Sequence, residues 1–547
     1  VSDRPQVPNI KDLAVNASFA LGACNLNQRL KTIANATAPV RSANIVRKSP
    51  QYRNMIRRLE QLPQWLDCVV LIGLGTLIRL PRLGSVSLWS DELFTALWSR
   101  LDLAFIFGAG AHIETIPPEY YLLMRGWMDV FGNSPDAIRL PSVIFSSLAI
   151  GVVYASANIL FDRKTACIAG LFAAVNPFMV MYAQEARPYA LLEFLCGLCF
   201  LSMAFYLQRR GGARGYLALF TVAAIAGIYI QYTGLFFVCS CFLTIGLALL
   251  LERPRRVREV LLWVGTGVIV AGFAIFPALL AASLSGSPDI DWIPPVSAQS
   301  LHDFFWSVLI DPRVGYYRLG GWLAAALILI MTLCGARMKL CWNQLLLLVI
   351  MPAAYTAIII LVSFNSAILI PRIAIWLTIP LCIAFARAAT AQKSPWGQSF
   401  VTACILFCWL IPLQHYFRLP WKENWKAAAD IVATAPQCSG PVVFGMIYGV
   451  GLVYYRPELL KRQLFATPVW ASGHGLIPVA AGNSAGEVLE EKVIDAPIVP
   501  ASQIPALMRQ YRHLAVVLPF DWYDILNSFR PPVMQATLGG GVHVACY

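Results

Sequence analysis

The chain is 547 residues long, 58% hydrophobic and only 13% charged, with a mean hydropathy of +0.63. Soluble domains carry roughly a quarter charged residues, so the composition excludes a soluble globule and predicts a polytopic α-helical membrane protein. A net charge of +13 would suggest nucleic acid in a soluble chain, but here much of the excess sits in short loops between apolar runs, where it orients helices.

Residues 1–64 are polar and basic and contain no apolar core long enough for a signal peptide, so they read as a largely disordered cytoplasmic tail. The first apolar run, Leu66 to Pro81, is followed by the acidic stretch Ser87 to Phe94. Next comes Pro118 to Gly132, only 15 residues, or about 22 Å of helix against a hydrocarbon core of about 30 Å. Further helices fall near 138–161, 165–182, 188–208, 216–232, 233–251, 260–283, 319–334, 342–363, 372–387 and 399–415, about eleven with the first.

Loop charge decides whether the short piece crosses. If it lies along the outer surface, within a first external loop of about 83–137, the basic clusters all face the same side as the basic N-terminus. These clusters are Arg163 and Lys164; Arg209, Arg210 and Arg214; Arg253, Arg255, Arg256 and Arg258; Arg337 and Lys339; Arg387 and Lys393. If it crossed, all five would face outward. The predicted organisation is therefore a tail (1–64), a transmembrane domain (65–415) and an extracytoplasmic α/β domain (416–547). In the last, Trp425–Ala435 and Gln503–Tyr511 read as helices, and Pro441–Ile447, His513–Phe520 and Val542–Cys546 as strands. Most of the 14 cysteines lie in apolar runs and fit no metal or disulfide framework, while Cys438 and Cys546 fall in the polar C-terminal region, where one disulfide can form.

The outer side receives Asp91 and Glu92 from the first external loop and Glu185 and Arg187 from the second. Arg372 stands at the outer end of a helix, with no acid near it in sequence. An arginine at headgroup level suits a phosphate, because its planar fork gives two parallel hydrogen bonds; lipid phosphate is the unspecific alternative. An acid beside an arginine fits transfer of a sugar from a polyprenyl phosphate: the base activates an acceptor hydroxyl and the cation stabilises the departing phosphate. No Walker or Rossmann signature occurs, and such a reaction needs none.

Four motifs in order carry a family resemblance: Trp89-Ser90-Asp91-Glu92; Pro117-Pro118-Glu119-Tyr120-Tyr121 with Phe131-Gly132; Arg139-Leu140-Pro141-Ser142; and Gln184-Glu185-Ala186-Arg187-Pro188-Tyr189. The sequence resembles membrane glycosyltransferases of the GT-C fold, in the branch of protein O-mannosyltransferases and the aminoarabinose and galacturonic acid transferases of bacterial lipopolysaccharide. The match is densest over 66–235. The resemblance implies a polyprenyl-phosphate-sugar donor, transfer with inversion to an envelope glycolipid, polysaccharide or protein, and a bacterial inner-membrane location. It implies Asp91 as the base with Glu92 beside it, holding structure or acceptor. Glu185, Arg187, Tyr189 and Tyr120 would contact substrate, and Arg372 would hold the donor phosphate. The chain departs from the pattern at Ile116 and Gln231, where relatives often carry basic or histidine residues.

No cofactor is required by this reading. A divalent metal is compatible with it, since some family members bind one, although His112 and Glu114 do not form a ligand motif. His302 reads as interfacial packing, and Trp292, Pro294 and Pro295 as a lid or an ordinary loop. A transporter or flippase of lipid-linked sugar is the competing class; it would place ionisable groups near the midplane and show internal repeats, and a sensor is a third.

Overall fold

The computed structural model describes residues 63–209, 214–251, 257–284, 293–310, 318–418, 422–445, 448–467, 469–472, 475–478, 485–519, 531–538 and 542–547. The tail expected before residue 63 and Trp292 of the expected lid lie outside the described residues.

All eleven apolar stretches contain helix. The chain opens with α1 (Gln64–Arg79), followed in the first loop by α2 (Ser90–Trp98), α3 (Leu103–Phe107) and α4 (Pro118–Phe131). Then come α5 (Pro135–Leu160), α6 (Arg163–Val175), α7 (Pro177–Ala183), α8 (Tyr189–Arg209), α9 (Arg214–Ile230), α10 (Gly234–Leu251) and α11 (Val257–Ser283). The bundle finishes with α12 (Ala298–Leu309), α13 (Arg318–Gly335), α14 (Met351–Ser363, extended back by helical turns from Trp342), α15 (Thr378–Thr390) and α16 (Pro395–Arg418). Among the described residues, seven helices are long and apolar enough to cross a membrane, and up to nine if two bent pairs each count as one span. The expected count of about eleven also includes α1, of 16 residues, and α9 and α13, whose apolar parts are Gly215–Ile230 and Leu319–Gly335. This is a multi-pass helical membrane protein.

Pro118 starts α4, where its missing N–H costs nothing, and Gly132 ends it at φ 85°, a left-handed cap that glycine tolerates. The predicted outer-surface helix is thus a separate element of 14 residues. The α6–α7 pair bends by 54° at Asn176-Pro177. Pro177 cannot donate to the Ala173 carbonyl. The fully buried Arg79 replaces the missing donor: its guanidinium donates to the Ala173 and Ala174 carbonyls at 3.1 and 3.0 Å and to Ser146 Oγ at 3.0 Å. Asn176 Oδ1 meanwhile caps α7 by accepting from Met179 N–H at 3.0 Å. The break delivers Gln184, whose side-chain amide donates to the carbonyls of Arg79 and Pro81 at 2.7 and 2.8 Å, tying the second outer loop to the first.

After α16, which runs to Arg418 rather than the predicted His415, the chain builds a mixed five-stranded sheet. Its strands are β1 (Val442–Gly445), β2 (Leu464–Thr467), β5 (Ala515–Pro519), β6 (Met534–Thr537) and β7 (Val542–Cys546), in the order β2-β1-β5-β7-β6. The first three are parallel, and β7 and β6 join antiparallel. A hairpin of β3 (Val469–Ser472) and β4 (Gly475–Pro478) stands apart. Helices α17 (Trp425–Thr434), α18 (Tyr448–Tyr455), α19 (Ala485–Val493) and α20 (Ile504–Gln510) complete the module, and a disulfide joins Cys438 to Cys546. The module seats on α2. Trp425 is buried, and a Cβ at Gly451 would stand 2.8 Å from its indole and 3.1 Å from Leu93 of α2, so only glycine permits this approach.

Candidate active site

Asp91 and Glu92 are the second and third residues of α2. Consecutive helix positions point about 100° apart, so the two carboxylates diverge. Asp91 faces the partly open side, with its side chain 28% exposed. Its Oδ2 accepts from Arg372 Nη1 at 2.8 Å and lies 3.7 Å from Arg187 Nε. Arg187 also donates to the Asp91 carbonyl at 3.3 Å. Arg372 sits in a short 3₁₀ turn, Pro371–Leu377, ahead of α15, and its guanidinium lies 5.7 Å over the ring of Tyr189.

Glu92 turns the other way and is fully buried. Its Oε1 accepts from Arg139 Nε at 2.7 Å, Ala186 N–H at 3.0 Å and Lys422 Nζ at 3.0 Å; Oε2 accepts from Arg139 Nη2 at 2.6 Å and Trp89 N–H at 3.3 Å. Burial alone would raise its carboxyl, but Arg139 and Lys422 outweigh burial and hold it at about 2. Burial in turn pulls the Lys422 ammonium down to about 8 against the pull of Glu92. With five donors around it, Glu92 clamps the first loop to α5, the second loop and the C-terminal module. The resemblance places Glu92 at the catalytic site, holding structure or acceptor; its side chain has no open face toward a substrate, which leaves the structural role.

Of the other expected site residues, Arg187, Tyr189 and Arg372 gather at Asp91. Tyr120 is buried one step behind, its ring 5.7 Å from Tyr121, and burial pushes its phenol well up, so it stays protonated. Glu185 is buried on the Glu92 side, close enough to act on Lys422.

Three contributors had no role assigned from sequence. Arg139 was part of a motif, and as a charge in a long apolar helix it was the detectable one. Lys422 and Glu423 lie more than 300 residues from the groups they hold. The carboxylate of Glu423 accepts from Ser90 N–H at 2.9 Å, from Trp425 Nε1 at 2.6 Å and from the Ser90 hydroxyl. Trp89 at the N-cap has no side-chain acceptor, so Glu423, just beyond α16, caps α2.

The Glu92 clamp has a pH signature. Its carboxyl is held down at about 2 in the fold against an ordinary 4.5, so its contribution is complete above about pH 4.5 and is lost as pH falls toward 2. The difference corresponds to about 3 kcal/mol. Thermal unfolding in detergent should show an acid limb in this window that Glu92→Gln flattens; an unchanged limb would assign it to other carboxylates.

Among the described residues no group of three or more His, Cys, Asp or Glu side chains is placed to hold a metal. His112 is exposed while Glu114 is buried, its Oε1 accepting from Ile116 N–H at 3.0 Å.

Residues 115–280 match the family model described as dolichyl-phosphate-mannose-protein mannosyltransferase. No curated protein matches the chain. Its fold is similar to that of ArnT from Cupriavidus metallidurans. The apo crystal structure superposes with a TM-score of 0.56 at 14% identity, over 88% of this chain and 97% of that one. The same protein bound to undecaprenyl phosphate gives 0.53 at 15% identity, over 88% and 98%. The chain is thus a multi-pass membrane protein of the GT-C fold, related in architecture to ArnT and, over 115–280, in sequence to the protein mannosyltransferases.

Proposed function

We propose that the protein is a glycosyltransferase that moves a sugar from a polyprenyl-phosphate donor to a hydroxyl of an envelope glycolipid, polysaccharide or protein. Asp91 is the general base. Arg372, helped by Arg187, receives the donor phosphate, and Tyr189 supports the Arg372 guanidinium. The acceptor oxygen attacks the anomeric carbon from the Asp91 side, the bond to the phosphate oxygen breaks, and configuration inverts. Two guanidiniums supply the positive charge at the leaving group, so the reading calls for no cofactor.

The observation that carries it is the Asp91 carboxylate sharing Arg372 and Arg187 on a partly open face, while Glu92 is locked away. The ArnT complex with undecaprenyl phosphate supports a lipid-phosphate donor. The side-consistent basic loops support eleven crossings with a cytoplasmic N-terminus and an extracytoplasmic active site and C-terminal domain (416–547), and the family resemblance supports the bacterial inner membrane. The Cys438–Cys546 disulfide supports an oxidising side for that domain.

Arg372→Ala should raise the KM for donor by about tenfold or more while moving the acceptor KM little, since one charge-assisted phosphate contact is removed. Equal effects on both would sink the phosphate role. Comparing envelope glycolipids by mass with and without the protein identifies donor sugar and acceptor. A flippase would leave the sugar-phosphate bond intact, so release of free polyprenyl phosphate in reconstituted vesicles separates the two classes.

A further inference from the structure

Three residues, Gln231, Tyr232 and Thr233, join α9 to α10. Their backbone is engaged. Gln231 N–H donates to the Gly227 carbonyl at 3.1 Å, and the carbonyls of Gln231, Tyr232 and Thr233 accept from Gly234, Leu235 and Phe236 at 2.8, 3.0 and 3.1 Å. The side chains are different. Gln231 Oε1, Tyr232 Oη and Thr233 Oγ1 are each buried without a hydrogen-bond partner, and Gln231 and Tyr232 are only 7% and 8% exposed as residues. Folded proteins leave few such atoms, because each forfeits its hydration without replacement, and three in succession in one turn call for a polar ligand.

The turn stands against the loop that carries Asp91. Helix α9 packs on α4, and Tyr232 packs with Ala111 of the first loop and with Leu280 and Leu284 at the end of α11. Glu119 and Glu114 both act on Tyr232; burial, the larger influence, pushes its phenol well up in the same direction, so it remains a neutral hydroxyl. Glu114 also acts on Arg187, which reaches Asp91, and Tyr121 packs 6.1 Å from Trp98 of α2. Glu114 thus lies within electrostatic reach of both the turn and Arg187 of the proposed phosphate seat.

An amide carbonyl and two hydroxyls, faced by two carboxylates, form a set that both donates and accepts, as the hydroxyls of a sugar ring require. The carboxylates disfavour an anion, and the polar atoms disfavour a lipid tail. We propose that the Gln231–Thr233 turn, faced by Glu119 and Glu114, seats the hydroxyls of the donor's sugar ring and sets which sugar is transferred. This rests on the lipid-phosphate reading above.

The test measures binding to the full-length protein in detergent of bare undecaprenyl phosphate and of undecaprenyl phosphate carrying mannose, glucose, galactose or arabinose. In the wild type at least one sugar should strengthen binding about tenfold over the bare lipid, the equivalent of one or two buried hydrogen bonds. Tyr232→Phe, Thr233→Val and Gln231→Ala should each remove most of that increment, change the order of preference among sugars, and leave the bare lipid within about twofold. The subsite is overturned if no sugar adds affinity, if the variants weaken bare and sugar-bearing lipid equally, as a purely structural turn would, or if the preference survives all three, as it would where ordered water alone serves these atoms. Arg372→Ala is the control for the underlying reading: bare lipid that binds equally well to it overturns the phosphate seat, whatever the turn variants do.

Discussion

Asp91→Asn should lower sugar transfer by about a thousandfold and, in the same protein, tighten the binding of bare undecaprenyl phosphate. The first effect follows from loss of the proton acceptor, since asparagine takes the space of aspartate without its basicity. The second follows from competition. Arg372 now donates to Asp91 Oδ2 at 2.8 Å, and Arg187 lies 3.7 Å from the same oxygen, so an incoming phosphate must displace the carboxylate from guanidiniums it needs for itself. Neutralising residue 91 removes the competitor and leaves both arginines in place. In the wild type the exchange also has a mechanistic use: the base is released from its ion pair when donor phosphate arrives. Single-turnover kinetics and equilibrium lipid binding read the two effects separately. Lost turnover with weakened lipid binding would mean that Asp91 holds the arginines in shape; retained turnover would remove it as the base.

What the chain shows at the level of sequence depends on how local the physics is. Membrane helices were legible because each is set by its own apolar length, and α4 was legible as a short separate helix because Pro118 and Gly132 mark its two ends. Arg372 and Arg187 were legible as cations beside the ends of apolar helices, and both lie at Asp91. The different directions of Asp91 and Glu92 were not, because adjacency in sequence hides the turn of a helix that begins at Ser90. Nor were the partners of Glu92 and Ser90: Lys422 and Glu423 are separated from them by 330 and 333 residues, and a lysine-glutamate pair after a last apolar run reads as solvated. In the C-terminal module, β2, β3, β4 and β6 are only four residues long, too short for alternation alone to reveal them.

The second large effect belongs to Arg139, and it should reach catalysis without any contact with substrate. All five of its N–H groups are in use. Besides Glu92, the guanidinium donates to the carbonyls of Leu83 and Val86 at 2.6 and 2.8 Å through Nη1 and to that of Ser87 at 2.8 Å through Nη2. It therefore shapes the loop entering α2 as well as neutralising the acid inside it. Arg139→Met leaves the fully buried Glu92 with Lys422 as its remaining ion-pair partner, and removing one member of a buried pair costs about 3–5 kcal/mol. Arg139→Lys separates charge from geometry, because an ammonium with three donors cannot reproduce a planar fork serving two carboxylate oxygens and three carbonyls. Both variants should lose thermal stability in detergent, the methionine variant more. In each, turnover should fall while binding of undecaprenyl phosphate changes less, since the backbone of Arg372 belongs to the turn before α15 and not to the first loop. Wild-type behaviour of Arg139→Lys would reduce Arg139 to a counter-ion. Parallel loss of stability and turnover in both would instead identify it as the residue that holds Asp91 in line with the phosphate seat, from a helix that never meets the sugar.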